Sequence, residues 1–276
     1  MKRTAQYLGM YTALLCYLVF LGFPLVWLVS TAFKGPRELA SIDPTWIPRE
    51  ATTANFSTAF TEQPLLQAGM NSLTIAVSSS LITMVLAVPA AYVLARYRST
   101  LTRLTTGWIL VSQMFPFVLV IIPLFLLLKS FYLVDSQAGL VMVYVVWNLP
   151  FTLWMIQGYV RAIPPELEEA ASVDGASRGK ALWHIVFPLL TPGLVATVMF
   201  SFISAWNEFF FALVLLKTPE KQTLPVLLTR FLGAEGVADL GPLAAAALVT
   251  TIPSLLFFMF IQRRLTAGML TGAVKG

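Results

Sequence analysis

The chain carries few charges for its size. Charged residues make up 11% of its 276 residues, against 58% hydrophobic ones. A soluble domain holds about 25% charged residues, and a water-facing surface cannot be built from so few. That scarcity excludes an ordinary soluble globule. Cysteine occurs once, as Cys16 inside an apolar run, which excludes an intrachain disulfide and a cysteine-rich metal site. Histidine also occurs once, as His184, with no cysteine or acidic cluster at ligand spacing, so no metal site is expected. The sequence has no Walker A glycine loop, no paired histidines and no Gly-x-Ser-x-Gly elbow. The chain is therefore expected not to be an enzyme and to hold no cofactor of its own.

What the chain has in abundance is apolar length. A hydrocarbon core about 30 Å thick is spanned by roughly 20 apolar helical residues. Six stretches reach that length, at about 9–33, 72–95, 106–128, 139–160, 192–216 and 243–262. They predict an all-α membrane protein that crosses the lipid bilayer about six times, as a single transmembrane domain over 1–276. Pro24, Pro89, Pro116, Pro123, Pro150 and Pro253 interrupt several stretches. Membrane helices tolerate such residues where neighbours satisfy the freed carbonyls, so they read either as packing irregularities or as gating hinges. The first stretch is long for the apolar part of a signal peptide, and no small-x-small site closes it. It reads as a retained span.

The net charge of +5 could suggest nucleic acid. The basic residues, however, sit in short loops beside apolar runs, where they act as topology signals, and no nucleic-acid partner is expected. Six spans put both termini on one side. That side carries Lys2, Arg3, Arg96, Arg98, Arg103, Arg161, Arg178, Lys180, Arg263, Arg264 and Lys275. The other carries Lys34, Arg37, Arg49, Lys129, Lys217, Lys221 and Arg230. The excess predicts a multi-pass protein of the cell (inner) membrane with both termini cytoplasmic. Two outer loops are long, 34–71 and 217–242. The second contains Gly233-Ala234-Glu235-Gly236, turn chemistry that suits either partner contact or a plain solvated connector.

The loop 161–188 is the most informative stretch. Pro165 suits a helix start, and Glu166, Glu168 and Glu169 lie in the first turn, where the helix dipole favours acids. Leu167, Ala170 and Ala171 fall on one small apolar face. Asp174-Gly175 signals a tight turn. A second short helix over about 177–186, stopped by Pro188, is expected to follow. The residues alone define a docking element.

Glu169-Ala170-Ala171, Asp174-Gly175-Ala176, Ile185 and Pro188 together resemble the EAA loop of importer-type ABC transporter permeases. Asn71-Ser72-Leu73, Ala90 through Arg96, Trp206-Asn207-Glu208-Phe209 and the tail Gly272 to Gly276 are similar to the carbohydrate-uptake permeases, and among these to the MalG-type rather than the MalF-type subunit. The resemblance covers essentially the whole chain and implies the type I ABC importer permease fold. It implies a MalF-like permease partner, a dimer of ATP-binding subunits that holds ATP and Mg, an extracytoplasmic solute-binding protein, and a sugar-like solute. The loop 161–188 would then be the coupling helix. Glu169 and Asp174 would hold it in a cleft of the ATPase, and Ala170, Ala171 and Gly175 would permit a close fit. Segment 230–239, with Gly233, Ala234, Glu235 and Gly236, would reach toward the binding protein. The first span would pack on the partner permease.

Polar residues within spans complete the candidates. Glu208 is an acid inside a span, where a charge costs roughly 3 kcal/mol or more, so it should face the bundle interior or a water-filled cavity. With Trp206 and Asn207 it reads as a polar-aromatic patch on the translocation path, or structurally, with Asn207, as the cap of a broken helix or a bond across a permease–permease interface. Gln113 and Asn148 are further path candidates. They, and Gln157, also suit hydrogen bonds between helices. The rival functional class is an ATP-independent secondary transporter or channel, and Glu208 is the one residue that favours it.

Overall fold

The computed structural model describes residues 2–233 and 238–273, with side chains over 6–233 and 238–259. In chain order the helices are α1 (Lys2–Ala32), α2 (Pro36–Leu39), α3 (Ala54–Glu62), α4 (Leu65–Arg96), α5 (Thr100–Ser112), α6 (Phe117–Ser130), α7 (Gln137–Ala162), α8 (Glu166–Val173), α9 (Arg178–Ala181), α10 (Phe187–Trp206), α11 (Phe210–Leu215), α12 (Leu224–Leu228) and α13 (Leu240–Ala273). Among the described residues there is no β-strand, only an isolated bridge between Leu232 and Ala238. Five helices are long and apolar enough to cross a membrane, or six if the bent pair α5–α6 counts as one span. The chain divides into two compact units, Met1–Leu66 with Leu227–Ile252, and Gln67–Val226 with Pro253–Gly276.

In the first unit α1 is uncovered by its own chain over most of its length, with Tyr7, Leu15, Val19 and Phe20 all exposed. Its far end is tied down. Asn55 donates from Nδ2 to the carbonyls of Ala32 (2.9 Å) and Lys34 (2.8 Å), satisfying groups that the helix end leaves open. Trp46 meets Phe23 and Trp27 edge-on at 5.1 and 5.3 Å. Lys34 is buried; its ammonium lies 4.4 Å above the Trp27 ring and donates to the Thr45 carbonyl. Thr45 also bonds Glu38, whose carboxylate accepts the Arg49 N–H as well, and these bonds hold the Glu38 carboxyl below its usual range.

The second unit departs from the expected spans in two places. The stretch 106–128 is not one helix, because α5 and α6 meet at 103° across residues 113–116. Pro116 causes the break. It is extended (φ −60°, ψ 121°) and caps α6 instead of continuing α5. Proline has no N–H to give to a preceding turn and disfavours helix in the residue before it. The fifth span also starts earlier than 192 and ends earlier than 216. A continuous helix runs over Arg178–Trp206 and takes in α9, a π turn at Leu182–Val186, and α10. Pro188 therefore does not stop a short helix after the loop. The Phe187 N–H reaches back five residues to the Leu182 carbonyl. The widened turn accommodates a proline ring that would crowd a regular helix. After Trp206 the chain breaks at 207–209 and resumes as α11.

Lipid offers apolar side chains no hydrophobic gain from meeting each other, so packing in such a bundle rests on close van der Waals fit. Tyr159 of α7 lies so near Gly193 of α10 that a Cβ there would sit 2.5 Å from the ring. Farther along the same antiparallel crossing, the Phe151 and Phe200 rings meet at 4.1 Å, tilted by 34°. Met84, Val88 and Tyr92 of α4 join Ile156 and Val160 of α7 and Val186 and Leu190 in one buried cluster beneath the loop 161–177.

Candidate functional site

The loop begins where α7 ends. Three acids fill the first turn of α8 and balance its N-terminal dipole. Asp174 is the C-cap, and Gly175 has φ +83°, the left-handed conformation that a side chain resists. The Gly175 N–H bonds the Ser172 carbonyl (3.1 Å) and the Ala176 N–H bonds the Ala171 carbonyl (2.9 Å). This is the paired closure of a Schellman motif. Ser177 then caps α9 by accepting the Lys180 N–H.

No residue of α8 is buried. Glu169, Ala170, Asp174 and Gly175 are exposed, while Ala171, Ala176 and Ile185 are half-buried. Pro188 is exposed on α10. Leu167 is 44% and Val173 88% exposed, so the apolar side of α8 has no cover within this chain. Glu168 points the other way. Its carboxylate pairs with the Arg96 guanidinium at 2.6 Å and accepts the Tyr92 hydroxyl at 2.5 Å. Arg96 also donates to the Ile163 carbonyl at 2.9 Å. Arg178 lies over the Tyr97 ring, 5.2 Å from its centre, and donates to the Tyr97 hydroxyl. The sequence reading missed these anchors. Tyr92 and Arg96, one helical turn apart at the end of an apolar run, form a one-faced polar pair that calls for an acid.

The in-span candidates separate. Trp206 is 2% exposed and stacks on Phe202 at 5.8 Å, so its ring is not open to a solute in this conformation. Asn207 is exposed and donates to the Ile203 carbonyl (2.9 Å). Glu208 caps α11, accepting the N–H groups of Phe211 (2.8 Å) and Ala212 (3.1 Å), and the Tyr144 hydroxyl donates to it at 2.7 Å. Of the readings of this patch, the geometry of Glu208 is that of a cap on a broken helix. Gln113 is exposed at the α5–α6 bend, and Asn148 is buried on α7. Between them lies an aromatic group: Phe117 meets Phe210 at 5.1 Å, and Trp147 meets Phe211 at 5.5 Å. Both breaks, at 113–116 and 207–209, therefore adjoin one cluster. Non-helical backbone at membrane depth must line a cavity or be buried in protein.

At the other end of this unit Asp135 gathers the loops. With φ 56° it turns its carboxylate to accept the N–H groups of Lys217 and Thr218 (both 2.9 Å), the Thr218 hydroxyl (2.5 Å) and the Lys221 ammonium (2.9 Å). These bonds, led by the Thr218 hydroxyl, hold its carboxyl far below the ordinary range. Asn71 donates to the carbonyls of Glu220 (2.8 Å) and Gln222 (2.9 Å), and Ser72 accepts the Leu224 N–H at 2.8 Å. Of the candidate binding-protein contacts, Gly233 is the last described residue before the gap, while Ala234, Glu235 and Gly236 fall outside the described residues.

Helices of membrane-crossing length and apolar composition make this an all-helical integral membrane protein. The chain belongs to the family described as "Binding-protein-dependent transport system inner membrane component", which matches residues 56–271. It is 59% identical over 229 residues to a Streptomyces antibioticus protein bearing the name ABC transporter permease protein ORF1, covering 83% of this chain and 100% of that one. It is 37% identical to the diacetylchitobiose uptake system permease protein DasC of Streptomyces coelicolor, over 92% of each chain. Its fold matches that of a bacterial ABC transporter involved in the import of the acidic polysaccharide alginate, with a TM-score of 0.80 at 21% identity, covering 95% of this chain and 97% of that one.

Proposed function

We propose that this chain is the MalG-like, pore-forming permease subunit of an ATP-driven ABC importer for a sugar or related solute. The exposed α8–Gly175 element carries this reading. It presents an apolar, small-residue face that this chain leaves uncovered, held to the end of α4 by the Arg96 and Tyr92 side chains. In the proposed complex that face seats in a cleft of an ATP-hydrolysing subunit, with Glu169 and Asp174 at its rim and Ala170, Ala171, Gly175, Ala176, Ile185 and Pro188 shaping the fit. ATP and Mg belong to that partner dimer. A MalF-like permease completes the pore, and a solute-binding protein delivers the cargo from outside. Both termini and the 161–188 loop face the cytoplasm in this reading, which the excess of basic residues on that side supports. The broken helices at 113–116 and 207–209, with Gln113, Asn148, Asn207 and Glu208 around them, border the translocation path. The family membership and the carbohydrate named for a relative at 37% identity support the solute class. Because Glu208 is engaged as a helix cap, the reading as an ATP-independent secondary transporter or channel loses the residue that favoured it.

The test is purification of tagged chain from detergent-solubilised native membranes. Co-purification of a second multi-span permease and an ATPase is the expected result, and the accompanying binding protein can then be screened against sugars. A chain that purifies alone overturns the proposal.

A further inference from the structure

The covalent chain joins α8 to α7 on one side and to α9 on the other. It does not join α8 to α4, which ends some 70 residues earlier in the sequence. Nor does close packing join them, because no residue of α8 is buried and an open hollow of about 430 Å³ lies between the loop and the end of α4. What spans that hollow is a set of side chains. The Arg96–Glu168 pair has only 14% of each side chain exposed. The Tyr92 hydroxyl occupies the second carboxylate oxygen. Arg96 is fixed in turn by the Ile163 carbonyl. Both oxygens of Glu168 are thus held by one helix, at positions one turn apart.

The other end of α4 is held as specifically. Asn71 and Ser72 bind three backbone groups of the segment 220–224. Between Asn71 and Arg96 the helix is continuous and rises about 37 Å, more than the thickness of a hydrocarbon core. We infer that α4 is the member that carries motion across the membrane: Arg96 and Tyr92 are positioning residues that make it follow the α8 loop through Glu168, and Asn71 and Ser72 pass that motion to the outer segment 220–224. The inference rests on the importer reading for what moves α8 and what meets the outer segment. It adds the side chains through which the two faces communicate. A rod gripped at both ends transmits displacement in either direction, so loaded binding protein on the outer face reaches the ATPase through the same contacts.

The experiment uses the complete importer in lipid nanodiscs and reads three quantities: ATPase recovered with the permease, basal ATP hydrolysis, and hydrolysis stimulated by loaded binding protein. Arg96→Gln is expected to keep recovery and basal hydrolysis within twofold while stimulation falls at least tenfold. Tyr92→Phe, which removes only the hydroxyl, is expected to lower stimulation about threefold. The paired Asn71→Ala and Ser72→Ala variant is expected to lose stimulation as Arg96→Gln does, from the other end. Reversing the pair, Arg96→Glu with Glu168→Arg, should restore at least a third of the wild-type stimulation. Stimulation within twofold of wild type in Arg96→Gln overturns the inference. So does parallel loss of all three quantities with no rescue by the reversed pair, because that is the behaviour of a purely structural contact. A wild-type chain that recovers no ATPase refutes the importer reading itself, an outcome distinct from either.

Discussion

The two ends of the larger unit are each organised by one carboxylate, and they use it differently. Asp135 accepts two backbone N–H groups, a hydroxyl and an ammonium, all from residues 217–221, and its own N–H is bonded to the Leu215 carbonyl. Main chain is fixed to main chain there, and nothing can shift without breaking several bonds together. Glu168 is met only by side chains, a tyrosine and an arginine on long arms. The helix that bears it keeps an uncovered outer face. One end is locked through its main chain, and the other is mounted through two side chains.

The largest effect should come from the turn that shapes the mounted end. Gly175→Val forces a branched side chain into φ +83°, where the penalty is conformational because the space around that position is open. Uptake should fall to background and ATPase recovery by more than tenfold, with membrane insertion intact. Gly175→Asn, which tolerates the left-handed region, should retain uptake within a few-fold. Normal uptake by the valine variant would remove the functional side of the comparison. Next, Asp135→Ala removes the shared acceptor of the Lys217 and Thr218 N–H groups, the Thr218 hydroxyl and the Lys221 ammonium and should cost about 2 kcal/mol. In a thermal melt in detergent that is a loss of roughly 5 °C or more, with ATPase recovery unchanged. If recovery fell as well, the two ends would not be separable.

A pH series sharpens the same point. The carboxyl of Asp135 is held below its ordinary value, so its stabilisation is fully present above the unfolded value of about 3.9 and is lost only as pH falls below it. The melting difference between wild type and Asp135→Asn should stay constant from pH 8 to 5 and shrink only in stronger acid. The smallest effect belongs to Glu208→Gln, which keeps an acceptor for the Phe211 N–H. It should cost about 1 kcal/mol or less and leave ATPase recovery unchanged. A large loss of stability there would mean that the charge itself holds the 207–209 break.

Apolar length made the membrane crossings legible, and the Glu-Ala-Ala and Asp-Gly spacing made the exposed loop legible, because both are local properties of the chain. The 103° bend was not. Pro116 looks like Pro89, Pro123, Pro150 and Pro253, yet those four stay inside helices. Which proline breaks a span depends on whether neighbours satisfy the freed groups, and that is a tertiary matter. Asp135 was invisible for a related reason, since its partners lie about 80 residues away in the sequence. Glu208 was half legible. An acid two residues before a new helix is a cap signature, but the unbroken apolar character of 192–216 concealed that a new helix begins at Phe210.

The π turn at Leu182–Val186 has a bearing on how this chain is compared with its relatives. It absorbs one residue more than an α-turn, so the faces assigned by counting 3.6 residues per turn from Arg178 are out of phase from Phe187 onward. A relative lacking one residue in this stretch keeps every membrane-facing position of α10 while its alignment shifts by one, and a designed deletion of His184, which closes the π turn to an α-turn, should leave the faces of α10 in place, whereas a deletion within the regular part of α10 turns everything beyond it by roughly 100°.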